Sequence, residues 1–354
     1  MSNLSPVVKV YITDVGTGDF FEMPYSSLTY IEELNNGGSI TINLDFVAVK
    51  AIADKYNTTV ADLFTATFRE IKVTLNDTII WLGVVSEYNR AKGADGSFTL
   101  TVAGVDYFSL FQKRRTGLTE VDFAAVDPAT IPWALISASQ ALTHGDWGIT
   151  EGVTASTGLS VTVAYKNAEI KQEIANLSNL KQYGSFDFDI DYTKKFNVYY
   201  PGKGSVRSEI VLDDNNILAD SVKIPVVLTL TNSIFVTGQG VNNDIAAVNQ
   251  QAPSGDIAAY TLLEDMTSDV NISDLTLLAA LGNRWLSLNQ LPIYQVSIKH
   301  EGDDPVLTSY DVGDTLVVNI PEENIAYQNY RVRKRTVDID QAGMITVQLD
   351  MLTL

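Results

Sequence analysis

The chain has 354 residues, 45% of them hydrophobic, which suffices for folded cores and exceeds what one core usually organises, so two or three domains are expected. The 43 acidic against 24 basic residues give a formal net charge of −19 and a pI near 4.4, a surface that repels phosphate backbones and disfavours sequence-specific nucleic-acid binding. The absence of cysteine removes disulfides, thiolate catalysis and sulfur-ligated metal sites, and two histidines, His144 and His300, tightly constrain any imidazole-based site.

The start, Met1-Ser2-Asn3-Leu4-Ser5-Pro6, lacks the basic flank and apolar stretch of a secretory signal, and no window approaches the roughly 20 apolar residues of a membrane-spanning helix. Synthesis in the cytoplasm without stable membrane insertion is expected, which makes Asn57-Thr58-Thr59 a chance match to a glycosylation site. Residues 1 to about 118 read as a β-meander, opening with a strand at 7–12 and closing at Lys113-Arg114-Arg115. Ile40, Ile42, Leu44 and Phe46 alternate with Thr41, Asn43 and Asp45, the period of a half-buried strand. Asn35-Asn36-Gly37-Gly38 supplies the turn into it, and a short helix follows at 47–56. Strands at 69–75 and 78–88, a loop through Gly93-Ala94-Asp95-Gly96 and a strand at 97–102 complete the set.

Residues 119–205 form an α+β insertion domain, with helical spacing at 128–143 (Ile131, Leu135, Ala138, Leu142) and 167–183 (Ile170, Ile174, Leu177, Leu180). A strand at 159–165 and a hairpin of 186–192 with 195–200 accompany them, and the loop Pro201-Gly202-Lys203-Gly204-Ser205 closes the domain. Residues 206–354 return to β, with strands at 209–212, 221–230, 233–238, 293–300, 314–320, 330–339 and 344–352. A helical insertion at about 256–292 interrupts them; Leu275, Leu278, Leu281 and Leu288 supply its stripe and Pro292 its end. The fold class is therefore α+β, predominantly β.

An internal echo links the two ends. A short strand at 71–75, a long one at 78–88, a glycine-bearing loop and an alternating strand at 97–102 match 315–320, 327–339, Asp340-Gln341-Ala342-Gly343 and 344–352 in order and texture. One barrel-like unit used twice is the expectation.

Candidate chemical sites have plainer explanations. Asp187, Asp189 and Asp191 offer the carboxylates a hard cation favours, but their alternation with Phe186, Phe188, Ile190 and Tyr192 reads as a solvated strand face. The acidic clusters Asp213-Asp214-Asn215-Asn216 and Glu301-Gly302-Asp303-Asp304 read as turns. Gly16-Thr17-Gly18 and Gly238-Gln239-Gly240 lack the helix and lysine of a phosphate cradle. His144 beside Asp146 has no accompanying nucleophile elbow. No cofactor, metal or catalytic residue is expected.

In order along nearly the whole chain, the sequence resembles the trimeric tail hub (baseplate hub) proteins of long-tailed bacteriophages. The resemblance is carried by Ile80-Trp81-Leu82-Gly83-Val84-Val85, Gly104-Val105-Asp106-Tyr107, Tyr183-Gly184-Ser185-Phe186-Asp187-Phe188, Arg284-Trp285-Leu286, Pro292-Ile293-Tyr294, Val312-Gly313-Asp314-Thr315-Leu316 and Tyr330-Arg331-Val332. It implies two tail-tube-like β-barrel domains flanking the insertion domain. It also implies a homotrimer whose six barrels join a sixfold tail tube or distal tail ring to the tail tip. The expected location is the virion tail tip. The expected partners are distal tail or tube protein, tape-measure protein and tail-tip or fibre proteins, with DNA only in passage during ejection.

The basic clusters Lys113, Arg114, Arg115 and Arg331, Arg333, Lys334, Arg335 are then candidate subunit-interface residues, meeting acidic faces of neighbours. The rivals are a distal tail ring protein, a carbohydrate-binding tail-tip adhesin with Trp133, Trp147 or Trp285 on a sugar-stacking surface, and a cell-wall hydrolase.

Overall fold

The computed structural model describes residues 7–14, 20–65, 69–93, 96, 98–179, 186–219, 221–224, 226–227, 230–240, 245–269, 272–289 and 293–353. Of the sequence features above, Met1–Pro6, Gly16-Thr17-Gly18, Ala94-Asp95, Ser97, Leu180, Tyr183-Gly184-Ser185, Pro292 and, within the strand expected at 221–230, residues 225, 228 and 229 lie outside the described residues.

Strands β1 (Val8–Asp14), β2 (Phe20–Met23), β3 (Tyr25–Glu33) and β4 (Ser39–Asp45) lead into helix α1 (Phe46–Lys55) and helix α2 (Val60–Thr65). Alternation along β4 buries Ile40, Ile42 and Leu44 as expected. Asp45 ends the strand and starts α1, its carboxylate accepting the Val47 and Ala48 amides at 2.8 and 3.1 Å. Helix α2, not anticipated, is announced by Thr59 and Asp62, whose side chains and amide bond each other in a capping-box pattern. Strands β5 (Arg69–Leu75), β6 (Thr78–Lys92) and β7 (Phe98–Val105) form the expected meander, with Asn76 and Asp77 both at positive φ in a tight turn.

The middle region holds β8 (Val121–Val126), α3 (Ile131–Gln140), β9 (Thr150–Thr154), β10 (Val161–Tyr165), α4 (Ile170–Ser178), β11 (Asp187–Ile190) and β12 (Lys195–Tyr199). Strands β8 and β10 pair with each other; β11, β12 and β9 form a three-stranded sheet. Then follow β13 (Val206–Leu212), β14 (Val226–Val227), β15 (Ser233–Thr237), β16 (Ala247–Gln251), α5 (Ser254–Tyr260), β17 (Glu264–Ser268), α6 (Leu275–Asn289), β18 (Ile293–Glu301), β19 (Thr315–Ile320), β20 (Ile325–Asp340) and β21 (Ile345–Thr353).

Among the described residues, thirteen strands from both ends of the chain join one curled sheet, ordered β14-β18-β21-β20-β3-β4-β7-β6-β5-β1-β2, with β19 and β13 continuing from β20. The echo is visible in this order: β5-β6-β7-β4-β3 repeats as β19-β20-β21-β18-β14. The repeat stops at the flank, where β1 runs antiparallel to β5 but β13 runs parallel to β19. The two units meet where β3 pairs β20, from Lys334↔Glu33 to Asp340↔Ser27.

The strand expected at 233–238 departs from the second β unit. It is the centre of a separate sheet, β16-β15-β17, on which α6 packs. Two cores explain the segregation. One is shared by the β units and contains Ile12, Tyr30, Ile42, Trp81, Val332 and Leu349. The other joins the middle region to this insert, uniting Phe111, Ile136, Ile174, Phe196, Ile234 and Leu278. The insert thus begins about twenty residues before the expected 256. Among the described residues no helix is long and apolar enough to cross a membrane.

Candidate functional site

A dense polar network lies where the two β units meet the middle region, and it recruits residues that the sequence placed elsewhere. From the N-terminal unit come Glu32 near the end of β3 and Asn35 in the following turn, at positive φ. From the middle region come Asp187, Asp189, Tyr192 and Lys203; from the C-terminal unit come Asp311, Arg331 and Arg335.

Asp187 is 6% exposed, so its strand face is turned inward against the β units. The solvated face read from its alternation is thereby corrected. Its carboxylate accepts from Arg331 Nη2, from the Lys203 amide at 2.8 Å and from Asn35 Nδ2 at 2.6 Å. Asn35 returns the contact by accepting the Phe188 amide at 2.9 Å. Arg331 also donates to the carbonyls of Gly313 (3.0 Å) and Lys203 (2.6 Å).

Lys203 bridges Asp189 at 2.9 Å and Asp311 at 2.8 Å. Desolvation lowers its pKa, but Asp311 and Asp189 outweigh that and hold the ammonium well above a lysine's ordinary value. Desolvation likewise pushes Asp311 up, and the charges of Lys203 and Arg335 overcome it and hold it below the usual carboxylate range. Asp191 accepts the Thr193 and Lys195 amides at 2.7 and 3.0 Å, closing the β11–β12 turn. All three aspartates are thus committed to the chain, and among the described residues no group of three or more His, Asp or Glu side chains is arranged to hold a metal ion.

Arg335 is buried at 6% exposure, donates from Nε and Nη2 to Glu32, and caps the carbonyls of Leu307 and Tyr310 at 3.1 and 2.9 Å. The Tyr192 hydroxyl contacts Glu32 and donates to the Ile80 carbonyl at 2.7 Å. A cleft of about 180 Å³ opens beside this network, lined in part by Asn36, Trp81, Asp106, Asp189, Lys203 and Asp311. Opposite charges here neutralise each other across element boundaries, which locks three parts of the chain in one relative orientation.

The basic clusters thus divide. Arg331 and Arg335 spend their guanidinium groups inside the chain. Arg333 is half-buried, its pKa lowered by desolvation, while Lys334 faces Glu33 across the β20–β3 seam. Arg114 lies over the Trp147 ring, 4.5 Å from its centroid, and donates to the carbonyls of Ser139 and Gly145. Lys113 and Arg115 stay exposed, with Arg115 donating to the Asn167 carbonyl at 3.0 Å.

The histidines stay apart. His144 occupies an exposed turn at positive φ, and Asp146 accepts the Gly148 amide instead. His300 is fully buried in β18. Its Nδ1–H donates to the Glu301 carbonyl, so Nε2 accepts from the Tyr310 hydroxyl at 2.7 Å. Burial lowers its pKa, which keeps the ring neutral. Trp133, Trp147 and Trp285 are partly buried against the second core, and Trp81 lies in the first.

No family model matches the sequence, and no curated protein matches it. Solved structures do match its fold. A tail protein from Neisseria meningitidis MC58 superposes with a TM-score of 0.64 at 11% identity, covering 99% of this chain and 97% of that one. The 43 kDa tail protein of prophage MuSo2 from Shewanella oneidensis gives 0.63 at 11% identity, over 99% and 98%. A component of the Escherichia coli type VI secretion system, described as structurally similar to the T4 bacteriophage tail proteins gp27 and gp5, gives 0.54 at 10%, over 98% and 77%.

Proposed function

We propose that this chain, whose fold is that of phage tail proteins, is a structural hub of the tail tip, three copies of which form a ring that continues a sixfold tube. The observation that carries this reading is the duplicated β unit: two copies of one strand order stand side by side in a single sheet, joined by β3 and β20. Three such chains present six equivalent units, which matches threefold to sixfold symmetry without a second gene product.

The interlock of Asp187, Arg331, Lys203, Asp311, Arg335 and Glu32 supports the same reading. A ring can mate with a sixfold neighbour only if the two units within each chain keep a fixed orientation. The proposed action is steric and electrostatic, with no chemical step. A net charge of −19 lets a channel pass DNA without holding it, because like charge removes the attraction that would retard passage.

Its partners are a tube or distal tail protein on one face and tape-measure and tip proteins on the other. Lys113, Arg115 and Lys334, whose charges remain at or near the surface, are the basic residues proposed to meet acidic faces of neighbours. Electron micrographs of the purified protein test the reading: class averages should show a threefold ring with a central hole, and a compact particle without a hole would overturn it. A cleared zone on a cell-wall zymogram would overturn the non-enzymatic part.

A further inference from the structure

The seam inside the chain has a counterpart at the free edges of the same sheet. In the N-terminal unit, β6 pairs β5 as far as Glu70↔Val84, bulges between Val85 and Glu87, then pairs β7 through Lys92↔Phe98. In the C-terminal unit, β20 pairs β19 as far as Thr315↔Arg331, bulges between Val332 and Lys334, then pairs β21 through Ile339↔Ile345. Setting bulge on bulge makes Val85 equivalent to Val332, Glu87 to Lys334, and Ala91 to Asp338.

Past its bulge β20 leaves β19, and the edge so freed is covered by β3, with Asp338 opposite Thr29. Past its own bulge β6 leaves β5 in the same way. Among the described residues no strand covers that edge of 87–92, where Glu87, Asn89, Arg90, Ala91 and Lys92 are exposed. An uncovered strand edge is a template for another strand.

The strand that fits it stands at the far end of the sheet. The counterpart of β3 is built from 217–219, 221–224 and 226–227, described residues that lie antiparallel to β18 through Ile217↔His300, Lys223↔Ser297 and Val226↔Tyr294. Through β4–β7 and β18–β21, Ser297 is equivalent to Thr41 and Lys223 to Thr29. Lys223 and Ser297 exchange both backbone hydrogen bonds, at 2.9 and 2.8 Å. Alternation in an antiparallel ladder therefore turns the amides and carbonyls of Val222 and Ile224 outward.

We infer that the strand around Lys223 of one subunit adds, antiparallel, to the free edge of β6 in the next, with Lys223 opposite Ala91. This repeats between chains the pairing that Thr29 makes with Asp338 within one. The inference rests on the ring reading above and gives it a head-to-tail interface of two unlike edges. Seams within and between chains then alternate around six units. Tyr88 takes the place of Arg335 in the second kind, so that seam lacks the buried Glu32–Arg335 ion pair of the first.

The cysteine-free chain makes the test clean. Because Lys223 exchanges its hydrogen bonds with Ser297, its pairing on the outer side is of the non-bonded kind, about 4.5 Å between Cα atoms and within reach of a disulfide. The double variant Ala91→Cys, Lys223→Cys, mildly oxidised, should run on a non-reducing gel mainly as covalent trimer. Thr29→Cys, Asp338→Cys should close within one chain, and the shifted pair Asn89→Cys, Lys223→Cys should link far less. A trimer by light scattering that gives no covalent trimer from the Ala91–Lys223 pair would overturn this seam and leave the ring standing. A protein that stays monomeric at all concentrations would overturn the ring and the seam with it, and equal linking by the shifted pair would overturn the register.

Discussion

Arg335 on β20 and Glu32 on β3 are 303 residues apart in sequence and 2.7 Å apart in space, and their ion pair spans the seam where the two β units become one sheet. Removing the cation strands a carboxylate that is 18% exposed, beside the hydroxyl of Tyr192. Arg335→Ala is therefore expected to cost about 3–5 kcal/mol in urea unfolding. Glu32→Gln combined with Arg335→Met should recover most of that loss, because a buried pair replaced as a pair leaves no lone charge. Losses that simply add in the double variant would contradict the coupling.

Arg331 makes a second distinction. Its guanidinium is held by Asp187 and two carbonyls, so Arg331→Glu places two carboxylates together and should lower the melting temperature by at least about 6 °C. Lys113→Glu with Arg115→Glu should leave the melting temperature within about 2 °C, since both side chains are exposed, and should weaken assembly instead. Circular dichroism and gel filtration of the same samples separate the two effects.

Glu173 on α4 is 6% exposed, and Asn176 Nδ2 links it to Asp269 by contacts of 3.3 and 3.2 Å. Burial, and secondly the charge of Asp269, push its pKa up from 4.5 to about 8. A raised carboxyl binds its proton more tightly in the folded state. Its contribution is fully present below about pH 4.5 and is lost as pH rises through 8. Glu173→Gln should match the wild type at pH 5 and melt at least about 2 °C higher at pH 8.5. Parallel melting curves from pH 5 to 9 would contradict the assignment.

Gly83 sits in β6 where a Cβ would meet the Val105 carbonyl oxygen at 2.3 Å and the Trp81 ring at 2.4 Å. Because one obstacle is backbone, Gly83→Ala is expected to destabilise by about 1–3 kcal/mol. Gly255→Ala, in α5 with nothing within 4 Å, should be neutral or stabilising. Chemical denaturation of the two variants decides.

The sequence was most legible where one face is buried and the other wet. Alternation in β4 and β21 and the turn residues Asn76 and Asp77 located the meanders, and the echo between them survives as shared strand order and shared bulges. Strands β8 and β17 escaped notice because their side chains are mostly exposed and show no alternation of burial. The interlock was illegible for another reason. Alternation alone makes Asp187 look solvated because its cation, Arg331, lies 144 residues away, and Tyr192 meets Glu32 across 160. Local patterning reports that a residue is charged; only the tertiary fold supplies the partner that lets it be buried.

The most direct test of the account is the mass of the purified chain in solution, measured by light scattering across a hundredfold concentration range. The account predicts a species of three times the 38.7 kDa chain. A particle of six chains would favour a sixfold ring instead, and a single chain at every concentration would contradict the hub.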